Sequence, residues 1–346
     1  MLRKLIHLFG QLLAVVTAAG LLARFVPPDV WWPPAVIALL LPGLIALLLL
    51  FTLWVLYCRR WSVAVLPALV LMGATPLLGR LFAFSLGGED TATEQTVSLV
   101  TANVRGFKND AWQSVGPQRG TVFLDALSPD VLLLQEAQAG PFVDPIRSAS
   151  GLDKRHQPRN KTVATYADEV SFVADEFVGR KRFNGFLVTD VETSIGTLRI
   201  INVHLRSNQI SGMAGGIGED NSLGEGIDRA ESMFRRYGAS AAVRAEQAES
   251  IRRYIEESPH PVIVGGDFND VPSSYTYQRI RTDRLRDAWA EGGFGIGTTF
   301  TGPLPFLRID FLLVDKSLSV HRVRRVETGF SDHRGVEVVV SEGVKE

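Results

Sequence analysis

The chain places a carboxylate and an amide directly after a short apolar run near its C-terminal third. The run Val262–Val264 is followed by Gly265 and Gly266, and then by Asp267 and Asn269. Side chains two residues apart on a strand point to the same side. The sequence therefore predicts that Asp267 and Asn269 leave the end of a buried strand together, where they can contact a phosphate or a metal ion.

Further polar residues stand at the ends of other apolar, strand-like runs. Three of these runs end on a polar residue and two begin after or with one, at Asn103, Glu136, His204, Asp310 and the pair Asp332-His333. The ends and the beginnings meet when the strands run antiparallel, so these side chains can line one edge of the sheets. Taken singly, Asn103 has an ordinary explanation as a turn residue and His204 as a core histidine. However, the presence of so many polar residues at the ends of apolar runs in one domain favours a common site.

These residue types suit the hydrolysis of a phosphate ester. Oxygen atoms of Asn, Glu and Asp are ligands for hard cations such as Mg²⁺, Mn²⁺ or Ca²⁺. A histidine with an acid partner can deprotonate water, and a second histidine can steady or protonate the leaving oxygen. The only cysteine, Cys58, lies far from these residues in the sequence, so a structural zinc site is not expected.

The apolar runs are rich in Val, Ile and Leu and are mostly continuous, which is typical of strands buried on both faces. They are Val97–Val104, Asp130–Gln135, Leu198–Leu205, Val262–Gly265, Ile309–Val314 and Val336–Val340. Helices are predicted within Thr121–Leu127 and Arg229–Ser258. The Gly-rich stretch from Ser207 to Asp228 is predicted to be a substrate-facing loop, because long loops are often functional. A single α/β domain at residues 97–342 contains all of these elements.

Residues 1–86 differ from the rest of the chain because they are almost continuously apolar. Three segments approach the roughly 20 residues that a helix needs to cross a bilayer, at Leu5–Val26, Ala35–Tyr57 and Ser62–Phe84. A cleaved signal peptide would account for only one of them. We therefore predict a membrane anchor with three transmembrane helices at residues 1–86, followed by a polar linker at residues 87–96.

The distribution of charge predicts how this anchor is oriented. Arg3 and Lys4 precede the first segment, and Arg59 and Arg60 lie between the second and the third. Basic residues favour the cytoplasmic side, so three crossings place the rest of the chain outside the cytoplasmic (inner) membrane of a bacterium. That remainder holds 30 of the 36 basic and 36 of the 37 acidic residues, a formal net charge of −6. This charge argues against a strong non-specific nucleic-acid binder.

The order of the polar residues resembles the endonuclease/exonuclease/phosphatase superfamily, the deoxyribonuclease-like metal-dependent phosphoesterases. The motifs that carry the resemblance are Thr101–Val104, Leu134–Glu136, Asn202–Ser207, Gly265–Asn269, Arg308–Leu312 and Ser331–Gly335. The resemblance implies a four-layer α/β sandwich, in which two packed mixed β-sheets are flanked by helices. The chain departs from many nucleases of the family at Arg105, where they carry an acid. Lys161–Ala174 also lacks the usual Ser-Arg/Lys-Tyr-Pro signature.

The resemblance implies roles in binding the metal and the phosphate. Glu136 would be the main ligand of a Mg²⁺ (or Mn²⁺) ion, with Asn103 beside it and Asp332 next to the metal. Asp267 and Asn269 would orient the phosphate and the attacking water.

The resemblance also implies roles in proton transfer. His333 would act as the general base with Asp310 as its carboxylate partner, and His204 would bind the phosphate or protonate the leaving group. The function expected is that of a Mg²⁺-dependent phosphoric ester hydrolase, acting on a lipid headgroup, a small phosphoester or nucleic acid. Two alternatives stay open: an endonuclease that acts on extracytoplasmic nucleic acid, and a catalytically inactive membrane binding module.

Overall fold

In the computed structural model, the N-terminal region forms three long helices. The structure describes residues 1–85, 95–138, 140–159, 161–179, 183–208, 223–302 and 307–343. The helices are α1 (Leu2–Leu22), α2 (Pro33–Tyr57) and α3 (Trp61–Leu81). Within the described residues, these three are long and apolar enough to cross a membrane, as the sequence predicts. The predicted linker at residues 87–96 lies mostly outside the described residues.

Strands and short helices alternate along the rest of the described chain. The strands are β1 (Phe82–Phe84), β2 (Thr96–Asn103), β3 (Val131–Gln135), β4 (Lys154–His156), β5 (Ala164–Ala167), β6 (Val170–Val178), β7 (Asn184–Thr193), β8 (Gly196–His204), β9 (Val262–Asp267), β10 (Leu285–Asp287), β11 (Phe294–Ile296), β12 (Asp310–Asp315), β13 (Leu318–Val326) and β14 (Gly335–Glu342). The helices are α4 (Pro117–Thr121), α5 (Val143–Ser150), α6 (Leu223–Glu256), α7 (Tyr275–Arg281) and α8 (Ala288–Gly292).

Among the described residues, twelve of these strands build two large mixed sheets, and β1 and β11 form a separate sheet of two strands. The first has the order β13-β14-β2-β3-β5-β4, and the second has the order β10-β12-β9-β8-β7-β6. In each sheet the central pair is parallel, β2 with β3 and β8 with β9, and an antiparallel strand lies beside it, β14 or β12. Because of this arrangement, the ends of β2, β3, β8 and β9 meet the beginnings of β12 and β14 at one edge.

The two sheets pack face to face and carry helices on their outer faces. One apolar cluster lies between the sheets and includes Leu99, Leu133, Ile200, Ile263 and Leu312. A second cluster joins the outer face of the first sheet to the segment around α4 and α5, and a third joins the second sheet to α6 and α7. These layers confirm the predicted four-layer α/β sandwich.

Two buried amides link the sheets just before the polar edge, one residue before Glu136 and two residues before His204. Gln135 Nε2 of β3 donates to Asn202 Oδ1 of β8 over 2.8 Å, and Asn202 Nδ2 donates to Ala164 O over 2.9 Å. Buried polar groups need such partners, since leaving one unpaired costs about 1–3 kcal/mol. The pair therefore fixes how far β3 and β8 extend past each other, and with that the positions of Glu136 and His204.

Three predicted elements differ from the structure. The third apolar helix ends at Leu81, because the chain then extends into β1, which pairs with β11. The helix predicted within Thr121–Leu127 is instead the end of α4 followed by a single 3₁₀ turn at Val122–Leu124. The predicted Gly-rich loop is partly helical, since α6 already begins at Leu223. Residues 209–222 of that loop lie outside the described residues.

The N-terminal helices α2 and α3 contact the sandwich directly. Ser273 Oγ donates a buried hydrogen bond of 2.8 Å to Ala38 O of α2. Arg308, which forms a buried ion pair with Asp287, donates to Arg80 O in the last turn of α3 over 2.9 Å. The N-terminal helices and the sandwich therefore share a polar interface as well as a chain connection.

Candidate active site

The pairing of three neighbouring strands puts three ionisable side chains in one row. Asp310, the first residue of β12, is paired with Asp267, the last residue of β9. Asp267 is in turn paired with His204, the last residue of β8. All three residues are at least 95% buried. The two carboxylates and the imidazole are therefore placed by sheet register, on rigid elements, rather than by a flexible loop.

The glycines before Asp267 allow its strand to lie close to its neighbours. A Cβ atom on Gly266 would lie 2.0 Å from Val203 O of β8, and the φ of Gly266 is +137°. A Cβ atom on Gly265 would lie 2.7 Å from side-chain carbons of Leu133 and Leu312. A residue with a side chain does not fit at Gly266, where the neighbour is backbone, and at Gly265 the two leucines would have to shift. The packing that brings Asp267 to the edge therefore requires glycine at Gly266 and favours it at Gly265.

Asn269 folds back onto the carboxylate of Asp267. Its backbone N–H donates to Asp267 Oδ1 over 2.8 Å, and its Nδ2 donates to Asp267 Oδ2 over 3.0 Å. The φ of Asn269 is +52°, a left-handed conformation that Asn tolerates better than most residues. The two side chains thus act as one polar unit, although they meet through the turn after β9 rather than through the strand alternation that the sequence analysis assumed.

Asn103 joins the two sheets at the site. Its Nδ2 donates to Glu136 Oε1 over 3.2 Å in the first sheet and to Asp267 Oδ2 over 3.0 Å in the second. Its Oδ1 accepts a hydrogen bond from the backbone N–H of Arg105. An amide oxygen has two lone pairs, so Asn103 positions two carboxylates and still has one lone pair for a cation.

Glu136 stands just beyond the end of β3 in a strained backbone conformation. Its φ is +54°, and non-Gly residues held in this region cost about 1–3 kcal/mol and often occur at functional sites. Its side chain is 37% exposed, whereas that of Asp267 is 2% exposed. Glu136 is therefore the more accessible of these two carboxylates.

His204 faces both of these carboxylates. Its Nε2 lies 3.6 Å from Glu136 Oε1 and 3.8 Å from Asp267 Oδ2. Its Nδ1 is buried and has no hydrogen-bond partner within the part of the chain that the structure describes. His204 is thus more than a satisfied core histidine, because its Nε2 is directed at the cluster of carboxylates.

His333 and Asp310 form a buried pair. His333 Nδ1 lies 3.1 Å and 3.0 Å from the two carboxylate oxygens of Asp310. Burial alone would lower the pKa of His333, but the carboxylates of Asp310, Asp267 and Asp332 raise it to about 10. An Nδ1–H that is held by a carboxylate leaves Nε2 as the nitrogen that can exchange a proton with water.

Asp332 lies apart from the other carboxylates. Its Oδ1 is 3.6 Å from Arg105 Nε, and its backbone O accepts hydrogen bonds from the backbone N and the Oγ1 of Thr301. Asp332 nevertheless contributes to the negative potential at His333. Its predicted place next to a metal stays a prediction, whereas its ion pair with Arg105 is a feature that the sequence analysis missed.

The site fits a divalent cation. Burial raises the pKa of Asp267 to about 6, and the charge of Asp310 adds to this increase, although His333 and His204 oppose it. Carboxylates held this close together favour a positive charge among them. Ligand atoms of Asp267, Asp310 and His333 lie within 4.8 Å of one another, and Glu136 shares a hydrogen-bond donor with Asp267. Hard oxygen donors dominate this set, as Mg²⁺ or Mn²⁺ requires.

A cavity of about 290 Å³ opens beside this cluster. Five predicted residues line it, namely Glu136, Asp267, Asn269, Asp332 and His333. Asn208, in the predicted substrate-facing loop, also lines it. Other lining residues were not predicted to be at the site, and these include Leu39, Trp112, Tyr237, Asp270 and Phe300. The cavity thus has a polar side with the predicted residues and an apolar side to which α2 contributes.

A buried arginine positions two polar residues that line the cavity. Arg244 of α6 donates from Nε to Asp270 Oδ2 over 3.0 Å and also pairs with the side-chain oxygen of Asn208. Asn208 Nδ2 then donates to the backbone O of Asn269 over 2.7 Å. The sequence signals for this network are Asp270, directly after the Gly-Asp-Phe-Asn motif, and Asn208, in the predicted substrate-facing loop. Arg244 lies in a helix 26 residues from Asp270, and sequence spacing does not reveal such a contact.

Comparison with family models assigns most of the chain. Residues 100–333 match the model of the Endonuclease/Exonuclease/phosphatase family. Residues 3–81 match a Domain of unknown function (DUF8431). The first match covers about two thirds of the chain and includes every candidate site residue. The chain therefore belongs to the endonuclease/exonuclease/phosphatase family, whose members are metal-dependent phosphoesterases and nucleases.

Solved structures share the fold at low sequence identity. A humanised TDP2 of D. rerio is 17% identical, with a TM-score of 0.50, and the match covers 71% of this chain and 99% of that one. D. rerio TDP2 complexed with a single-strand DNA product is 15% identical, with a TM-score of 0.50, over 72% and 100%. An endonuclease/exonuclease/phosphatase from Beutenbergia cavernae is 17% identical, with a TM-score of 0.49, over 72% of each chain. No curated protein matches the chain.

Proposed function

We propose that this protein is a Mg²⁺- or Mn²⁺-dependent phosphodiesterase or phosphatase that works at the outer face of a cytoplasmic membrane. The catalytic domain would be residues 97–342, and the anchor would be residues 1–86. The observation that carries the proposal is the buried pair of His333 and Asp310, whose nitrogen and oxygen atoms lie 3.0 Å apart. This pair faces a group of carboxylates in a cavity large enough for a phosphoryl group.

His333 is assigned the removal of a proton from the attacking water. Asp310 accepts a hydrogen bond from Nδ1–H, so Nε2 is the nitrogen left for proton transfer. A divalent cation among the neighbouring carboxylates would offset the negative charge that raises the pKa of His333, and would so leave Nε2 able to take that proton. Asp267 and Asn269, which hold each other in place, orient the water and the phosphate. His204, whose Nε2 points at the same cluster, binds a phosphoryl oxygen or returns a proton to the leaving oxygen.

Glu136 is assigned the main role in holding the metal, with Asn103 beside it. A bound divalent cation supplies positive charge that offsets the carboxylates and the developing charge on the phosphoryl oxygens. Asp332, which is 17% exposed at its side chain, is proposed to add negative charge at the rim of this metal site.

An endonuclease is the second candidate, and one observation favours it. Trp112 lines the cavity and is 64% exposed, while the guanidinium of Arg105 lies 5.0 Å from its ring centre and Lys108 Nζ lies 5.6 Å from it. An exposed indole beside two cations can stack a nucleobase and contact its phosphate. The net charge of −6 outside the anchor favours a smaller phosphoester.

A panel of substrates tests the proposed function. The full chain in phosphatidylcholine nanodiscs is expected to hydrolyse bis(4-nitrophenyl) phosphate or 4-nitrophenyl phosphate with Mg²⁺ or Mn²⁺, and to stop when EDTA is added. Plasmid DNA and vesicles of choline or ethanolamine phospholipids are assayed in parallel. Plasmid cleavage alone would favour the endonuclease. If none of these substrates is hydrolysed with either metal ion, the inactive membrane binding module is supported instead.

The proposed orientation has a separate test, because the chain has one cysteine. Cys58 is exposed at the end of α2 that is predicted to be cytoplasmic. In intact bacterial cells, a membrane-impermeant maleimide is expected to leave Cys58 unlabelled until the inner membrane is permeabilised. An Asp168→Cys variant that also carries Cys58→Ser is expected to react once the outer barrier alone is opened. The opposite pattern would place the catalytic domain in the cytoplasm.

A further inference from the structure

The anchor helix α2 reaches the cavity of the candidate active site. Leu39, six residues after the start of α2, lines this cavity together with catalytic-site residues such as Glu136 and His333. Its side chain packs against the buried cluster of Val271, Phe300 and Ile309. A helix that is long and apolar enough to cross a membrane therefore forms part of one cavity wall.

A proline in α2 explains how the catalytic domain is held on this helix. Pro42 lacks a backbone N–H, so the carbonyl of Ala38, four residues earlier, has no helical donor. Ser273 Oγ from the sandwich donates to that carbonyl over 2.8 Å, and the bond is buried. The domain thus satisfies a group that the helix leaves open, and this fixes the neighbouring Leu39 in the cavity wall.

Apolar packing extends the same contact towards the start of α2. Trp32 and Val36 pack with Phe234 and Tyr237 of α6. A Cβ atom on Gly238 would lie 2.5 Å from the ring of Trp32, so the indole fits only because this helical position is a glycine. A mid-helix glycine costs about 1 kcal/mol relative to alanine, and here it permits close contact with the anchor.

The length of α2 places Leu39 near the membrane surface. Its 25 residues span roughly 37 Å at 1.5 Å per residue, which exceeds a hydrocarbon core of about 30 Å by several ångströms. The start of α2, which the sandwich covers, accounts for this excess. Leu39 then lies close to the boundary of the hydrocarbon, and the exposed Leu40 is its neighbour on the lipid side.

The cavity has chemically different sides. Glu136, Asp267 and His333 form the polar side, where the phosphoryl group reacts. Leu39 and Phe300 form the apolar side, and the ring of Phe300 meets the imidazole of His333 edge to face at 5.3 Å between centres. A substrate that matches both sides carries an apolar group next to its phosphoester.

We propose that the substrate is an amphiphilic phosphoester. Its phosphoester group lies in the cavity, and its apolar chain runs past Leu39 into the outer leaflet of the membrane. This inference rests on the proposed phosphoesterase function and adds the substrate class. The anchor then acts as a wall of the binding site and not only as an attachment to the membrane. Water attacks phosphorus and gives its proton to His333, the bond to the leaving oxygen breaks, and that oxygen takes up a proton from His204 or from water. The product that keeps the apolar chain remains in the bilayer.

Two substrates that differ only in chain length test this proposal. The full chain in phosphatidylcholine nanodiscs is assayed with Mg²⁺ on hexadecyl 4-nitrophenyl phosphate and on butyl 4-nitrophenyl phosphate, which release the same 4-nitrophenolate. The wild type is expected to prefer the hexadecyl ester by at least roughly tenfold in kcat/KM. Leu39→Ser is expected to reduce this preference by roughly tenfold, the effect of losing good apolar contacts in a pocket.

Leu40→Ser is the matched control, since it places the same polar group one residue along α2, on a side chain outside the cavity lining. It is expected to keep the wild-type preference. Leu39→Ala, which favours a helix more than Ser does, is expected to lower the preference by a smaller factor and covers the case in which Leu39→Ser misfolds.

Other outcomes overturn the proposal. Equal rates on both esters, or the same loss in the Leu40 variant as in the Leu39 variants, would show that α2 does not select the substrate. Faster hydrolysis of single-stranded DNA than of the hexadecyl ester would indicate that the apolar side of the cavity binds nucleobases and not an apolar chain. Hydrolysis of neither ester, nor of the soluble esters of the panel, would instead contradict the proposed function itself.

Discussion

His333→Ala is expected to lower kcat for bis(4-nitrophenyl) phosphate by about a thousandfold, within the range for removal of a general base. His333 is the histidine whose Nδ1 is held by a buried carboxylate, Asp310, at 3.0 Å. Its loss removes the group assigned to accept a proton from water. KM is expected to change little, since Glu136 and Asp267 keep their places. Steady-state kinetics of the full chain in nanodiscs measures both parameters.

His156→Ala is the control for this variant. His156 lies in β4 at the far edge of the first sheet, where its ring stacks on that of Phe172. The same substitution there is expected to leave kcat within about twofold of the wild type. A His333 variant with near-normal kcat and an unchanged far-UV circular dichroism spectrum would remove His333 from the mechanism.

Glu136→Gln is expected to weaken Mn²⁺ binding and to abolish metal-dependent hydrolysis. The substitution keeps the shape of the side chain and the hydrogen bond from Asn103, but removes the negative charge of the most accessible carboxylate of the cluster. Changes that only reorient metal ligands typically cost about 10–100-fold in affinity, so loss of a main ligand is expected to reach at least the upper end of that range. Titration of the full chain with Mn²⁺, followed by electron paramagnetic resonance, measures the affinity directly.

Glu169→Gln supplies the matched comparison. Glu169 is a surface residue that pairs with Lys154, and removal of its charge is expected to leave both the Mn²⁺ affinity and the rate unchanged. If Glu136→Gln binds Mn²⁺ with wild-type affinity, the metal ion would be assigned to the ligands Asp267, Asp310 and His333 instead. In that case Glu136 would have to act on the water or on the phosphate.

The sequence was informative where chemistry follows directly from strand pattern. Each of the six predicted runs is a strand in the structure. The polar residues meet at one edge because β2, β3, β8 and β9 end there, while the antiparallel strands β12 and β14 begin there. Asp267 and His204 are neighbours by register, and Asp310 follows from the antiparallel pairing of β12. The sequence shows that each polar residue stands at the end or the beginning of an apolar run, which is a local property. Which strands pair with one another is seen only in the structure.

Contacts between distant elements were beyond reach of such patterns. Arg244 holds Asp270 and Asn208 from a helix whose sequence gives no sign of this contact, and Arg105 pairs with Asp332 through a loop. Leu39 reads as one more apolar residue in a membrane helix. Its place in the cavity depends on how the sandwich docks on α2, which is determined by Ser273, Pro42 and the packing around Trp32.

Element ends were also poorly predicted where tertiary pairing overrides composition. Phe82–Phe84 is apolar enough to continue α3, yet it extends because β11 offers it backbone partners. Glu136 and Asn269 have positive φ values that no sequence pattern indicated. In both cases the surrounding structure imposes the conformation.

The most direct test of the central claim compares three forms of the full chain in one assay. Wild type, His333→Ala and Glu136→Gln are incubated in nanodiscs with bis(4-nitrophenyl) phosphate, with and without Mg²⁺, and release of 4-nitrophenolate is followed. The wild type is expected to release 4-nitrophenolate in a Mg²⁺-dependent manner, and each variant is expected to lose at least about 99% of that rate. Equal rates in all three forms would contradict the assignment of the active site to this edge of the sheets.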